Sequence, residues 1–173
     1  MTTATTKAEA QFNALYSKHL AAIVNYAARR ATGPDAVDVA AETFAIAWRR
    51  LDQLPADNAL PWLYGVARRV LANQRRGNLR RHDLHTKLFA EWLPLRNETV
   101  DRPEHSPLFT ALESLSDEDR DILLLAGVEE LRPAEIALVL DVSAEVVRNR
   151  LSRARSRLRL ALATVNEQEL DHE

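Results

Sequence analysis

The sequence predicts an all-α protein built as two small helical domains joined by a flexible linker. Glycine is scarce, with 4 residues among 173, and aromatic side chains make up only 6% of the chain. This leaves little material for hairpins and sheets, whereas the abundant Ala, Leu and Arg are strong helix formers. Apolar residues recur at three- and four-residue steps, which is the period of a helix with one buried face.

Composition also excludes several kinds of protein. The chain has no cysteine, so disulfides and thiolate metal sites are impossible, and a reducing compartment suits it. No apolar stretch approaches the roughly 20 residues that cross a membrane, and the segment Met1–Ala10 is polar. We therefore expect a cytoplasmic protein with no membrane insertion.

Three helices are predicted in a first domain, residues 7–82. The first helix ends at Thr32-Gly33-Pro34, and Asp35 can cap the second. A loop at 53–58 follows, and the third helix begins near Pro61, which a first turn tolerates. The side chains expected in the core are Phe12, Leu15, Tyr16, Leu20, Ile23, Val24 and Ala27, then Val37, Ala40, Ala41, Phe44, Trp48 and Leu51, then Leu63, Val66, Ala67 and Val70.

Helical periodicity is lost in residues 83–107. A possible short helix from Leu84 to Leu93 gives way to a stretch with three prolines, which predicts a linker. A second domain is expected at 108–163, followed by an acidic tail at 164–173 that we expect to be disordered. Four helices are predicted in the second domain. The first spans 108–115, and the second begins directly after a cap at Ser116. The third spans 133–140, and the fourth runs from 144 to about 163.

The last two helices and the tight turn between them form a helix-turn-helix pattern, which is typical of DNA-binding domains. At about 100° per residue, one arc of the long helix is apolar and predicted to be buried: Val147, Leu151, Ala154 and Leu158. The opposite face carries groups that can address base edges: Asn149, Ser152 and Ser156, flanked by Arg148 and Arg153. Nearer the sides, within reach of phosphates, are Arg150, Arg155 and Arg157.

Arginine is concentrated in two blocks, Arg68 to Arg81 and Arg148 to Arg159, although the formal net charge is only −2. Each block must act locally on an anion, and a nucleic-acid backbone is the obvious one. A solvated basic helix or a coiled-coil arm is the alternative for the second block. The first block contains Arg68, Arg69, Arg75, Arg76, Arg80 and Arg81, which cannot all share one face.

Four stretches, taken in order and spacing, resemble a known family: 35–49, 61–69, 115–123 and 135–155. From Phe12 to about Leu162, the sequence is similar to the two-domain sigma factors of the extracytoplasmic-function group within the sigma-70 superfamily. Those proteins direct bacterial RNA polymerase to promoters. The chain departs from the family where glycine is common, with Glu130 and Asp141 instead. Aspartate tolerates a left-handed backbone, so we expect the turn to survive with slight strain.

The resemblance implies roles for the first domain. Asp35, Asp38 and Glu42 match the segment that docks on the polymerase clamp helices, although charge alone also fits an ordinary solvated face. The loop from Leu54 to Asn58 matches the reader of the minus-ten promoter element, which captures an extruded base. In this reading Asp57 and Asn58 bind that base, Trp62 stacks on it or packs in the core, and backbone contacts come from Arg68, Arg69, Arg75 and Arg76.

For the second domain, the resemblance assigns the minus-thirty-five element, as duplex, to the long helix: Arg148, Asn149, Arg150, Ser152, Arg153 and Arg155. The implied partners are core RNA polymerase (clamp and flap elements of the large subunits), duplex and single-stranded promoter DNA, and an anti-sigma factor.

No cofactor, metal or catalytic activity is expected. The five histidines are scattered, and the nearest pair, His82 and His85, lacks a carboxylate constellation. Two other functions remain open. One is a stand-alone helix-turn-helix regulator whose last helix alone binds an operator. The other is an adaptor that binds acidic proteins.

Overall fold

The computed structural model describes residues 2–30, 35–78 and 106–170, and throughout these ranges the regular structure is helical. The all-α prediction is confirmed. The helices are α1 (Thr2–Ala28), α2 (Asp35–Arg49), α3 (Ala59–Asn78), α4 (Pro107–Ser114), α5 (Asp117–Gly127), α6 (Pro133–Leu140) and α7 (Ala144–Leu170), with a short 3₁₀ turn at Leu51–Gln53. The predicted helix at Leu84 to Leu93 lies outside the described residues.

The chain divides into two compact units, with α1, α2 and α3 in the first and α4, α5 and α7 in the second. In the first unit the three helices pack on one another in every pairing. The α1 stripe is largely as predicted, since Leu15, Ile23, Val24 and Ala27 are buried. Tyr16, however, is 40% exposed.

Sequence reasoning missed two buried residues of α1, His19 and Tyr26. Both lie at helical spacing from Leu15 and Ile23; histidine does not count toward an apolar stripe, whereas Tyr26 could have been counted, as Tyr16 was. Burial lowers the pKa of His19, and the charge of neighbouring Lys18 lowers it further. The neutral imidazole is therefore favoured in the folded chain.

The predicted inward face of α2 is wrong at three positions. Val37 and Trp48 are 41% and 43% exposed, and Ala41 is also exposed. The buried face is Ala36, Val39, Ala40, Thr43, Phe44 and Ala47. The physical reason is that the buried positions recur at three- and four-residue steps from Ala36 to Ala47 and include Thr43, whose hydroxyl donates to the Val39 carbonyl at 2.7 Å and so can be buried. Trp48 packs edge-on against Phe12 instead, with ring centroids 5.1 Å apart.

The α3 prediction is confirmed, because Leu63, Val66, Ala67 and Val70 are all buried. The helix begins at Ala59, two residues before the predicted start at Pro61. The missing N–H of a proline costs nothing in the first turn of a helix, where backbone N–H groups have no intrahelical partner.

In the second unit, α4 and α5 both pack on α7. The predicted Ser116 cap is confirmed, because its side chain accepts a hydrogen bond from the Asp119 N–H at 3.2 Å. A second cap precedes α6, where a Glu135 carboxylate oxygen accepts the Arg132 N–H at 2.8 Å. Bonding to the Arg132 side chain and backbone lowers the pKa of Glu135. These contacts cap the N-terminal ends of α5 and α6, the two helices that precede α7 in the chain.

α7 ends later than predicted. It runs to Leu170 and thus seven residues past the expected boundary at 163. The segment after 163 contains no glycine or proline, so nothing in it stops a helix that has already formed.

Candidate nucleic-acid interface

The turn before α7 is tight although it lacks glycine. Asp141 has φ 56°, and the N–H of Val142 donates to the Ala137 carbonyl at 3.1 Å. This is the left-handed helix end that glycine usually supplies. Ser143 then caps α7, since its side-chain oxygen accepts the Val146 N–H at 3.2 Å. Glu130 is also left-handed, with φ 54°, so both departures from the glycine pattern fall at strained positions.

α7 buries one arc and exposes the rest. Val147, Leu151 and Ala154 are buried as predicted, and Leu158 is half-buried. The residues predicted to contact DNA from this helix are all exposed: Arg148, Asn149, Arg150, Ser152, Arg153 and Arg155. Guanidinium, amide and hydroxyl groups therefore share one solvent-facing surface, and such groups bind base edges and phosphates.

Arg157, predicted to reach phosphates, also makes an ion pair within the second unit. Its guanidinium donates to Asp119 Oδ2 at 2.6 Å, and Asp119 is only 9% exposed. A buried carboxylate needs a charged partner to offset its lost hydration, and Arg157 supplies that charge while its own side chain stays 59% exposed. The two residues are 38 positions apart, which is why helical spacing did not reveal the pair.

Two further side chains of α7 are bonded along the helix. The Ser156 hydroxyl donates to the Ser152 carbonyl at 3.1 Å, and Arg159 donates to Ser156 Oγ at 3.3 Å. Such backbone bonding is common for serine in a helix. Ser156 is therefore less available to a base than Asn149 on the same face.

In the first unit, the loop before α3 presents Asp57 and Asn58 differently. Asp57 is exposed, whereas Asn58 is half-buried and its carbonyl accepts the Trp62 N–H at 3.1 Å, which starts the helix. Trp62 is itself half-buried, so it has both a packed and a solvent-facing part. Asp57 and Asn58 end the loop, and Trp62 lies in the first turn of α3.

The cationic side of α3 is exposed at Arg68, Arg69 and Arg76. Arg76 donates to Asn73 Oδ1 at 2.7 Å and to the Ala72 carbonyl at 3.2 Å. The side chain of Arg75, and Arg80 and Arg81 altogether, lie outside the described residues.

The acidic side of α2 is exposed at Asp38 and Glu42, which are four residues apart and share a face. Asp35 begins the helix, and its side chain lies outside the described residues. Within 2–30, 35–78 and 106–170, no group of three His, Asp or Glu residues is placed to hold a metal ion. His82 and His85 lie outside these ranges. None of the described helices is long and apolar enough to cross a membrane.

Two family models match the chain: Sigma-70 region 2 over residues 15–81 and Sigma-70 region 4 over residues 106–158. The first match contains the acidic helix and the loop before α3, and the second contains the helix-turn-helix. The chain belongs to the sigma-70 family, in its extracytoplasmic-function group. Sigma factors of this family are transcription-initiation proteins, not enzymes.

Individual sigma factors show the extent of the likeness. The chain is 38% identical over 136 residues to the probable RNA polymerase sigma factor RfaY of Xanthomonas campestris. That alignment covers 70% of this chain but only 32% of RfaY. It is 28% identical over 159 residues to the ECF RNA polymerase sigma-E factor of Salmonella typhimurium, covering 83% and 82% of the two chains.

A solved structure shares the fold. The sigma factor RpoE, crystallised in complex with the anti-sigma factor NepR from Bartonella quintana, aligns with a TM-score of 0.63 at 22% identity. The alignment covers 88% of this chain and 96% of RpoE. This likeness confirms the helical architecture of a sigma factor.

Proposed function

We propose that this sigma factor directs core RNA polymerase to promoters by reading two DNA elements in different states. α7 binds the minus-thirty-five element as duplex. The observation that carries this assignment is the exposed polar face of α7, which lies opposite a buried apolar arc and follows a capped, tight turn. A groove-reading helix needs this combination of rigid support and free donors and acceptors.

The loop before α3 captures the opened strand of the minus-ten element. Extruding a base costs a few kcal/mol, which new contacts to that base and to the single strand must offset. Asp57 and Asn58 supply hydrogen-bonding groups, and the half-buried Trp62 leaves part of its ring open to a base. The phosphates of the strand are contacted by four arginines: Arg68, Arg69, Arg75 and Arg76.

Docking on the enzyme uses both units. Asp38 and Glu42 present exposed carboxylates to basic residues of the clamp helices, with Asp35 at the start of the same helix. The second unit binds the flap element. Joining two weakly binding modules by a linker raises the affinity of the second contact through effective concentration. An anti-sigma factor, as in the RpoE complex, would silence the protein by covering these surfaces.

Promoter-dependent run-off transcription with purified core polymerase tests the proposal. We expect specific transcripts only when this chain is added. Replacing Asp38 with lysine should abolish them by reversing the docking charge, whereas replacing Asp52 with lysine, another exposed acidic residue outside α2, should not. Tight protection of a palindromic operator by the chain without polymerase would instead identify a stand-alone regulator.

A further inference from the structure

Glu145 is an exposed carboxylate on the face of α7 that carries the proposed base contacts. At about 100° per residue, it falls within about 40° of Asn149, Ser152 and Ser156 around the helix. The buried Val147 lies on the opposite side. None of the contacts proposed above for α7 uses Glu145, although it shares their face.

Contacts at the start of α7 fix the position of Glu145. The Ser143 side-chain oxygen accepts the Val146 N–H at 3.2 Å, and the Ser143 carbonyl accepts the Val147 N–H at 3.1 Å. Val147 has 0% exposure, so the first turn cannot rotate about the helix axis without bringing this side chain into water. The backbone at Glu145 is therefore held in one orientation.

No ion pair described between residues 106 and 170 includes the Glu145 carboxylate. The acidic members of those pairs are Asp117, Asp119 and Glu135. An ionised carboxylate only accepts hydrogen bonds, so Glu145 can bind only groups that donate them. Phosphate oxygens are negatively charged acceptors, and they repel it. On DNA, the groups left for Glu145 are therefore the donors on base edges.

Cytosine N4 and adenine N6 are the donors that bases present in the major groove. In an A·T pair the N6 donor lies between two acceptors, adenine N7 and thymine O4. In a G·C pair the N4 donor has an acceptor, guanine O6, on one side only. A carboxylate is therefore repelled less at cytosine. We propose that Glu145 reads a cytosine of the minus-thirty-five element by accepting a hydrogen bond from its N4 amino group.

This contact selects mainly by rejecting other sequences. Glu145 and Asn149 are about 6 Å apart along the helix axis, at 1.5 Å per residue, so they address different base pairs. A site that lacks the donor leaves a carboxylate facing acceptors and nearby phosphates, which weakens binding to the wrong sequence. The inference rests on the proposed function and adds to it a residue that determines specificity.

Run-off transcription by holoenzyme assembled with the full chain tests the inference. The templates are promoters that carry each of the four base pairs at each position of the minus-thirty-five element. For the natural chain, we expect one position at which cytosine, on either strand, is preferred about tenfold. Glu145→Gln should remove this preference and favour adenine there, because a glutamine amide both accepts and donates and can pair with adenine N6 and N7.

Glu118→Gln is the matched control, since Glu118 is an exposed carboxylate in the first turn of α5. Both carboxylates lie where the helix dipole favours negative charge, so a purely stabilising role would make the two variants behave alike. Glu118→Gln should leave every base preference unchanged.

The same base preferences in Glu145→Gln as in the natural chain, or an equal change on every template, would overturn the inference. So would the absence of a cytosine preference in the natural chain. In each case a natural chain that still distinguishes an intact minus-thirty-five element from a scrambled one keeps the proposed function. Equal transcription from intact and scrambled elements would reject the proposed function and this inference with it.

Discussion

At the scale of single residues, the arginines of α7 divide into two kinds that look alike in sequence. Arg148, Arg153 and Arg157 are all exposed, but Arg157 pairs with buried Asp119, whereas the other two take part in none of the ion pairs described between residues 106 and 170. A guanidinium paired with a buried carboxylate stabilises the unit, and one without an ion pair is available to DNA. The difference depends on a carboxylate in another helix.

Arg148→Ala should weaken use of the minus-thirty-five element by about 1 to 3 kcal/mol if Arg148 makes the base contact that we propose for it. The measurement is holoenzyme binding to a set of promoters with single base changes in that element. The loss should be greatest on the preferred base. Arg150→Ala, a side-facing control, should weaken all sequences equally, and the same uniform loss for Arg148→Ala would make that residue a phosphate contact.

Asp141→Gly should raise the free energy of unfolding by about 1 kcal/mol, because glycine adopts the left-handed conformation at φ 56° without a steric penalty. Urea unfolding followed by circular dichroism measures the change. Glu118→Gly, in the first turn of α5, is the opposite control and should destabilise the helix by up to about 1 kcal/mol. A stabilisation of similar size at both positions would mean that strain at Asp141 is not the cause.

At the scale of secondary-structure elements, the second unit depends on contacts at helix ends. The Arg120 guanidinium donates to the carbonyls of Leu112 at 2.9 Å, Glu113 at 2.8 Å and Leu115 at 3.1 Å. It also pairs with Asp117 at 3.2 Å. One side chain thus donates to the Glu113 and Leu115 carbonyls at the end of α4, and it adds a second donor to the Leu112 carbonyl, which also accepts the Leu115 N–H at 3.3 Å.

Arg120→Ala should destabilise the chain by about 1 to 3 kcal/mol, because the Glu113 and Leu115 carbonyls lose a donor and the Leu112 carbonyl loses one of two. Thermal and urea unfolding measure this loss. Arg120→Lys should recover only part of it, since an ammonium lacks the planar fork of donors. The exposed Arg150 provides the comparison: an equal loss on its replacement by alanine would show that charge, and not the helix-end contact, matters.

The α6 cap makes stability depend on pH. Since bonding to Arg132 lowers the pKa of Glu135 from its usual 4.5, the folded chain binds fewer protons there than the unfolded chain. The stabilisation is thus fully present above about 4.5 and is lost as pH falls through the lower folded value. Urea midpoints from pH 6 down to 3.5 should fall less steeply for Glu135→Gln than for the natural sequence, and parallel curves would contradict the effect.

At the scale of the whole molecule, charge is segregated. The formal net charge is −2, yet α3 and α7 present arginines and α2 presents carboxylates. Nonspecific attraction to DNA grows with the number of phosphates neutralised, so a chain without net positive charge gains little of it. DNA binding should therefore depend on assembly with polymerase.

Promoter spacing should accordingly matter more than either element alone. Lengthening the DNA between the two elements by half a helical turn should reduce transcript yield more than tenfold, because the two units can no longer bind together. Run-off assays on promoters with graded spacers measure this effect. A promoter with a scrambled minus-thirty-five element is the control, and it should be insensitive to spacing; equal sensitivity of both promoters would contradict bipartite reading.

The sequence by itself determined the helical class, most helix positions, the Ser116 cap, the left-handed turn at Asp141 and the outward face of α7. All of these depend on residues within one or two helical turns of each other, where period and cap preferences act directly. Only the tertiary structure decided the rotation of α2 that exposes Val37 and Trp48, and the partner of Arg157. Those features depend on which side chains of distant helices meet, because burial and ion pairing are set by packing in three dimensions and not by spacing along the chain.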